Sequence, residues 1–355
     1  MAGLGVAGTA LLAVGVLCLG SGCSDLSYYR QSVGGHLDLM SRAKPVGDWL
    51  ADDATPAPLK QRLALAQQMR EFSVQVLQLP DNPSYRAYAD LQRGAAVWNV
   101  VAAPALSLTL KTWCYPVTGC VGYRGYFDRA EADALGAQLR AEGWDANVYG
   151  VPAYSTLGWS NWIGGDPLLN TFVNGTEGEL ARLIFHELAH QQLYVADDTM
   201  FNESFATAVE RVGTRLWLQQ HGSEATRAQY RDMQQRRQDF RELTMRWRDQ
   251  LQQLYAGPLP DDRKLAAKAE LLTQLRADHA QMKQQRWGGF AGYDPWFANV
   301  NNASLGVLAA YSELAADFER LFQQQGSDFA RFYAEAARIG ALPKAQRHAT
   351  LRGIP

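Results

Sequence analysis

Cysteine is scarce in this chain, with four in 355 residues, which is too few for a disulfide-dense scaffold. Neither sign of charge is in excess. Thirty-four lysines and arginines face 36 aspartates and glutamates, for a formal net charge of -2, so no global positive field exists to attract phosphate backbones and no nucleic-acid partner is expected. Long apolar runs are also missing beyond the start of the chain, because only Leu4 to Gly22 approaches the roughly 20 residues that a membrane span needs. No Gly-rich phosphate loop follows a strand-like run, and no G-x-S-x-G elbow occurs. What is present is a hydrophobic content of 47% with ordinary glycine and proline. That content excludes a disordered chain and can fill the core of one large or two moderate domains.

The stretch from Leu4 to Gly22 is uncharged and ends at Gly20-Ser21-Gly22-Cys23, and it reads as a signal segment. Small residues before a cysteine resemble the bacterial lipobox, which implies that Cys23 is lipidated and becomes the mature N-terminus. Met1 to Thr9 carries no lysine or arginine, and Gly20 stands where lipoboxes usually have a larger aliphatic residue; an uncleaved N-terminal anchor is the alternative. Either way residues 24–355 are expected as a soluble body beside a membrane and outside the cytoplasm. Loss of Cys18 with the leader and lipidation of Cys23 leave Cys114 and Cys120, which flank a turn-like loop. An oxidising compartment favours a disulfide between them, two free thiols being the alternative.

The pattern predicts a mainly helical α+β fold. Apolar residues recur at roughly helical spacing between Leu26 and Leu110, and Asp128 to Glu142 reads as a helix closed by Gly143. Short strands are expected at Asn147–Val151, Tyr154–Leu157 and Asn170–Val173. Thr176 with Glu179 has the capping-box signature of a helix running to about Tyr194, and another helix starts near Asn202. Residues 223–286 read as a long antiparallel hairpin broken at Gly257-Pro258-Leu259-Pro260, a solvated surface or else a docking arm for a protein partner. Asn301 to Ala337 reads as helical. The expected organisation is a leader (1–22), an N-terminal helical region (23–142), a catalytic core (143–222), the hairpin (223–290) and a C-terminal helical region packed on the core (291–355).

The chemistry concentrates in His186-Glu187-Leu188-Ala189-His190. Residues four apart share a helix face, so His186 and His190 can present two imidazoles to one tetrahedral ion, with Glu187 rotated beside it as a proton acceptor and donor. A structural helix whose histidines only satisfy local hydrogen bonds is the alternative. Zinc hydrolases need a third protein ligand and an open position. Glu203, at the start of the next helix, is the expected third ligand. Glu210 lies about 10.5 Å further along that helix, so both cannot bind one ion; Glu210 or Asp198 is expected instead to hold a ligating imidazole through its other nitrogen.

His186-Glu187-Leu188-Ala189-His190-Gln191 followed by Asn202-Glu203-Ser204-Phe205-Ala206 resembles the gluzincin pattern of zinc aminopeptidases, with a shorter connection. The lipobox, the Tyr28-Tyr29 start, Trp113-Cys114, the metal motif and Asn301-Asn302-Ala303 together resemble a bacterial family of aminopeptidase lipoproteins over nearly the whole mature chain. The resemblance implies one Zn2+ held by His186, His190 and Glu203, Glu187 as general base and then acid, and a peptide or protein substrate. It also implies a lipid-anchored location in the bacterial cell envelope, facing the periplasm. The G-x-M-E-N segment by which better-known aminopeptidases recognise a free amine is absent, so a metalloendopeptidase stays open beside an aminopeptidase. A non-catalytic envelope scaffold is the third reading.

An oxyanion needs a donor opposite the metal, and Tyr311, Tyr194 and Tyr154 are the candidates, Tyr311 being preferred. Val148 to Leu157 is expected either to bind peptide by edge pairing or to be an ordinary strand. His36, His221, His279 and His348 read as surface residues, and Trp144, Trp159 and Trp162 as core packing near the proposed cleft.

Overall fold

Leu180, Ala181, Leu183, Ile184, Phe185, Leu188 and Ala189 are all buried, so the segment that carries the histidine motif lies in the main core and everything else is arranged around it. The computed structural model describes residues 23–115, 119–153, 164–196, 198–309 and 314–354. The N-terminal part contains α1 (Cys23–Arg42), β1 (Lys44–Pro45), α2 (Val46–Ala51), α3 (Ala57–Gln75), β2 (Ala87–Ala89) and β3 (Val97–Ala103). Then come β4 (Trp113–Tyr115), β5 (Gly119–Val121), β6 (Arg124–Tyr126), α4 (Arg129–Ala141), β7 (Asp145–Val151) and β8 (Leu168–Leu169). The remainder is helical: α5 (Glu177–Gln192), α6 (Thr199–His221), α7 (Glu224–Ala256), α8 (Asp261–Gln285), α9 (Asp294–Ala298), α10 (Asn302–Ala309), α11 (Ala315–Gln324), α12 (Phe329–Gly340) and α13 (Lys344–Arg352). The architecture is a mainly helical α+β fold, with sheets of two or three strands.

The main core joins α3, α5, α6, α11 and α12. Phe72 stacks on Phe185 at 5.9 Å and meets Trp217 edge-on at 5.3 Å, locking α3 against α5 and α6. Gly213 permits the close approach, because a Cβ there would stand 2.6 Å from Leu77 Cδ1 and 3.0 Å from Phe185 Cδ2. A small antiparallel sheet of order β6-β3-β7 packs between α4 and α10, with β7 along one edge. Asn302, fully buried, ties together two neighbouring strands at one end of this sheet: its N–H donates to Asp145 at 2.9 Å and its amide to the carbonyls of Pro104 and Ala105. Tyr255 of α7 donates to Asn302 Oδ1 at 2.7 Å, tying the hairpin to the sheet.

Several sequence expectations are met in the backbone. Asp128 caps α4 and Gly143 follows it at φ 86°. The α7–α8 hairpin breaks at 257–260 as expected, and Tyr28 packs on Tyr115 and Tyr126 at 5.4 and 5.6 Å. Other expectations fail. The helical reading of Leu26 to Leu110 holds only to Gln75, because Val97-Trp98-Asn99-Val100-Val101 forms the central strand of the sheet. A β-branched and aromatic run favours a strand when both flanking edges find partners. Asn170–Val173 is a turn, with the N–H groups of Phe172 and Val173 both donating to Leu169 O. Leu168–Leu169 just before it pairs in parallel with β2 instead. Residues 1–22, the Cys23 side chain and 154–163 lie outside the described residues, and with them the leader, the lipidation site and the Tyr154–Leu157 strand. Among the described residues no helix is long and apolar enough to cross a membrane.

Candidate metal centre

Thr176 caps α5, accepting from Glu179 N at 3.4 Å, and the helix then runs without a break past both histidines. Their spacing of four places the imidazoles on one face, edge to face at 4.8 Å between centroids, with the two Nε2 atoms 3.2 Å apart. The chain reverses between α5 and α6. Asp198 caps α6 by accepting from Phe201 N at 3.2 Å. The Asn202 side chain closes the reversal from inside, accepting from Val195 N at 2.8 Å and donating to Val195 O at 2.7 Å. Glu203 follows directly and turns back to the histidines, Oε2 at 3.4 Å from His186 Nε2 and Oε1 at 3.7 Å from His190 Nε2.

Two nitrogens bound at 2.0–2.1 Å to a tetrahedral ion are separated by about 3.3 Å. The Nε2 pair meets that spacing, and one donor atom each from His186, His190 and Glu203 falls within a 4.8 Å cluster. His190 is buried while His186 and Glu203 are only partly so, which leaves the cluster reachable from one side. The donor set, two imidazoles and one carboxylate, is the kind that suits zinc.

The charges point the same way. Glu210, about two turns further along the same face of α6, places Oε2 2.8 Å from His186 Nδ1. Arg182, one turn before His186, donates to both Glu210 oxygens at 3.0 and 3.3 Å, and Glu179 holds Arg182 at 3.4 Å while pairing with Arg237. Burial works against a charge on His186, yet the carboxylates of Glu203, Glu210 and Glu187 outweigh it and push its pKa up to about 10. Burial and the neighbouring His186 charge lower His190 to about 4. Burial would raise Glu210, but Arg182 and His186 bring it down to about 2. The carboxylates of Glu203 and Glu210 thus favour one positive charge beside them, while burial and that charge keep the second imidazole neutral.

The structure thus brings together His186, His190 and Glu203, with Glu210 behind His186 and Glu187 next to it on α5. Asp198, the alternative support for an imidazole of the pair, is engaged elsewhere: it lies against Arg347 at 2.5 Å and His348 at 2.9 Å. His348 is therefore no free surface residue. His279 is buried too, stacked on Phe297 at 3.9 Å, because its helix face turns into the hairpin core. Tyr194 is 53% exposed. Tyr311, Tyr154, Trp159 and Trp162 lie outside the described residues, while Trp144 packs against the sheet cluster. The sulfurs of Cys114 and Cys120 are bonded at 1.98 Å across the β4–β5 pair. Sequence reasoning missed Arg182, which was findable as the residue four before His186 on the same helix face.

The sequence profile of a family described as "Putative aminopeptidase" matches residues 27–351. No curated protein and no solved structure matches the chain.

Proposed function

The chain belongs to the putative aminopeptidase family, and from that premise we propose that it is a zinc-dependent peptidase that cleaves peptides from a free N-terminus. The observation that carries the reading is the convergence of His186, His190 and Glu203 on one point with Glu187 adjacent on the same helix. His186 and His190 would hold the ion through Nε2 and Glu203 through a carboxylate oxygen. When bound, such an ion supplies a Lewis acid for the scissile carbonyl and for the attacking water.

Glu187 accepts a proton as the water oxygen bonds to the carbonyl carbon. It passes that proton to the amine nitrogen as the carbon–nitrogen bond breaks, so the carboxylate ends as it began. Glu210 fixes the ring of His186 through Nδ1, leaving Nε2 for the ion. The edge strand β7 gives an extended substrate a backbone to pair with.

We further place the protein in the bacterial envelope, held by a lipid on Cys23 and facing the periplasm. The uncharged run before Cys23 supports this, as does a Cys114–Cys120 disulfide suited to an oxidising compartment.

Glu187→Gln tests the mechanism. The variant is expected to keep stoichiometric zinc and lose peptidase activity, whereas retained activity, or wild-type protein without bound metal, defeats it. Equal cleavage of free and N-acetylated peptides would turn the aminopeptidase into an endopeptidase.

A further inference from the structure

Tyr85 has no part in the reaction as described, yet the protein holds it in a costly state. The side chain is 1% exposed and, among the described residues, its hydroxyl has no hydrogen-bond partner, although a buried donor without an acceptor is destabilising. Its φ of 63° puts a bulky residue in the left-handed region, a strain that persists only where the surroundings impose it.

The surroundings do impose it. Fully buried Arg70 donates to the carbonyls of Pro80, Asn82 and Ser84 at 3.1, 2.9 and 3.0 Å, and Tyr85 N donates to Asp166 O at 2.6 Å. Gly165, at φ 72°, presses so near that a Cβ would stand 2.4 Å from Ser84 N. Two bonds then fasten this loop to the metal helix: Asn82 Nδ2 donates to Gln191 Oε1 at 2.6 Å, and Gln191 Nε2 to Ser84 Oγ at 3.1 Å. Gln191 lies four residues after Glu187, so the two share a face of α5, and the loop is tied to the face that carries Glu187. Burial, then the field of the Glu187 carboxylate and that of Asp166, hold the phenol well above its usual pKa. The hydroxyl is therefore a donor throughout the neutral range.

We propose that Tyr85 is a positioning residue for Glu187: with substrate bound, its hydroxyl donates to one carboxylate oxygen and leaves the other facing the attacking water. The phenol keeps its proton throughout, and the hydrogen bond serves only to orient the carboxylate. This rests on Glu187 acting as the base.

Tyr85→Phe removes the hydroxyl and nothing else. In the full chain, the expected result is a kcat lower by about 10-fold to 100-fold with KM unchanged, zinc affinity unchanged, and an unfolding midpoint equal to or above that of the wild type, since an unpaired buried donor has gone. A kcat within about twofold of the wild type overturns the proposal. So does a lowered unfolding midpoint, which would mean that the hydroxyl has a structural partner, or a loss expressed in KM. If zinc-loaded wild type cleaves no peptide, the peptidase reading itself falls; an active wild type with a fully active Tyr85→Phe removes the role of Tyr85 alone.

Discussion

Glu210 Oε2 stands 2.8 Å from Nδ1 of His186, while Nε2 of the same ring faces His190 at 3.2 Å. Nδ1 thus faces a carboxylate and Nε2 is left for an ion, the arrangement in which a carboxylate behind a ligating imidazole orients the ring. Arg182 keeps Glu210 ionised and in place. Glu210→Gln retains an acceptor but loses the charge, and zinc affinity is expected to fall by about 10-fold to 100-fold. Competition against a chelating indicator measures this, and an unchanged affinity would deny Glu210 its supporting role.

Glu203→Gln should cost more than Glu210→Gln. A neutral amide replaces the single anionic donor of the cluster and leaves two neutral imidazoles to hold a divalent ion. The ordering is the sharp part: with circular dichroism showing an intact fold, zinc affinity is expected to fall in the sequence wild type, Glu210→Gln, Glu203→Gln. If the two variants exchange places, Glu210 is the ligand and the assignment of roles along α6 is reversed.

Helix α5 was legible in the sequence because its signals are local. The Thr176 cap, the buried Ile184, Phe185, Leu188 and Ala189, and the spacing of His186 and His190 all follow from helix periodicity. Glu203 was reached by the same logic, since a short connection leaves a following helix little choice but to pack back on the first. What stayed hidden depends on distant partners. Val97 to Ala103 becomes a central strand only because β6 and β7 flank it, and neither lies within 20 residues of it in sequence. Asp198 was eligible as support for a histidine until Arg347 and His348, about 150 residues onward, claimed its carboxylate. The left-handed Tyr85 is imposed by Arg70, Asp166 and Gln191 together, none of which marks the tyrosine itself.

Asp198 couples the C-terminal helix α13 to the start of α6, a little over three turns before Glu210 and little more than one before Glu203. It is 1% exposed, caps Phe201 N, and is paired with Arg347 and His348. Burial alone would raise its pKa, but the Arg347 bond, the Phe201 N–H and His348 together bring it below the usual value. A carboxyl so depressed contributes stability that is present above its unfolded pKa of about 3.9 and is lost as pH falls through the lower folded value. Asp198→Asn keeps a capping oxygen but leaves the Arg347 guanidinium buried without its counter-charge, at an expected cost of about 3–5 kcal/mol near pH 7. The gap between wild type and variant should narrow as the pH drops below about 4, where Asp198 of the unfolded chain takes up a proton that the folded carboxylate still refuses. Denaturant unfolding of both proteins across that range reads it out. A gap that is small at pH 7, or one that does not change with acid, would show that the start of α6 is held by something other than this ion pair.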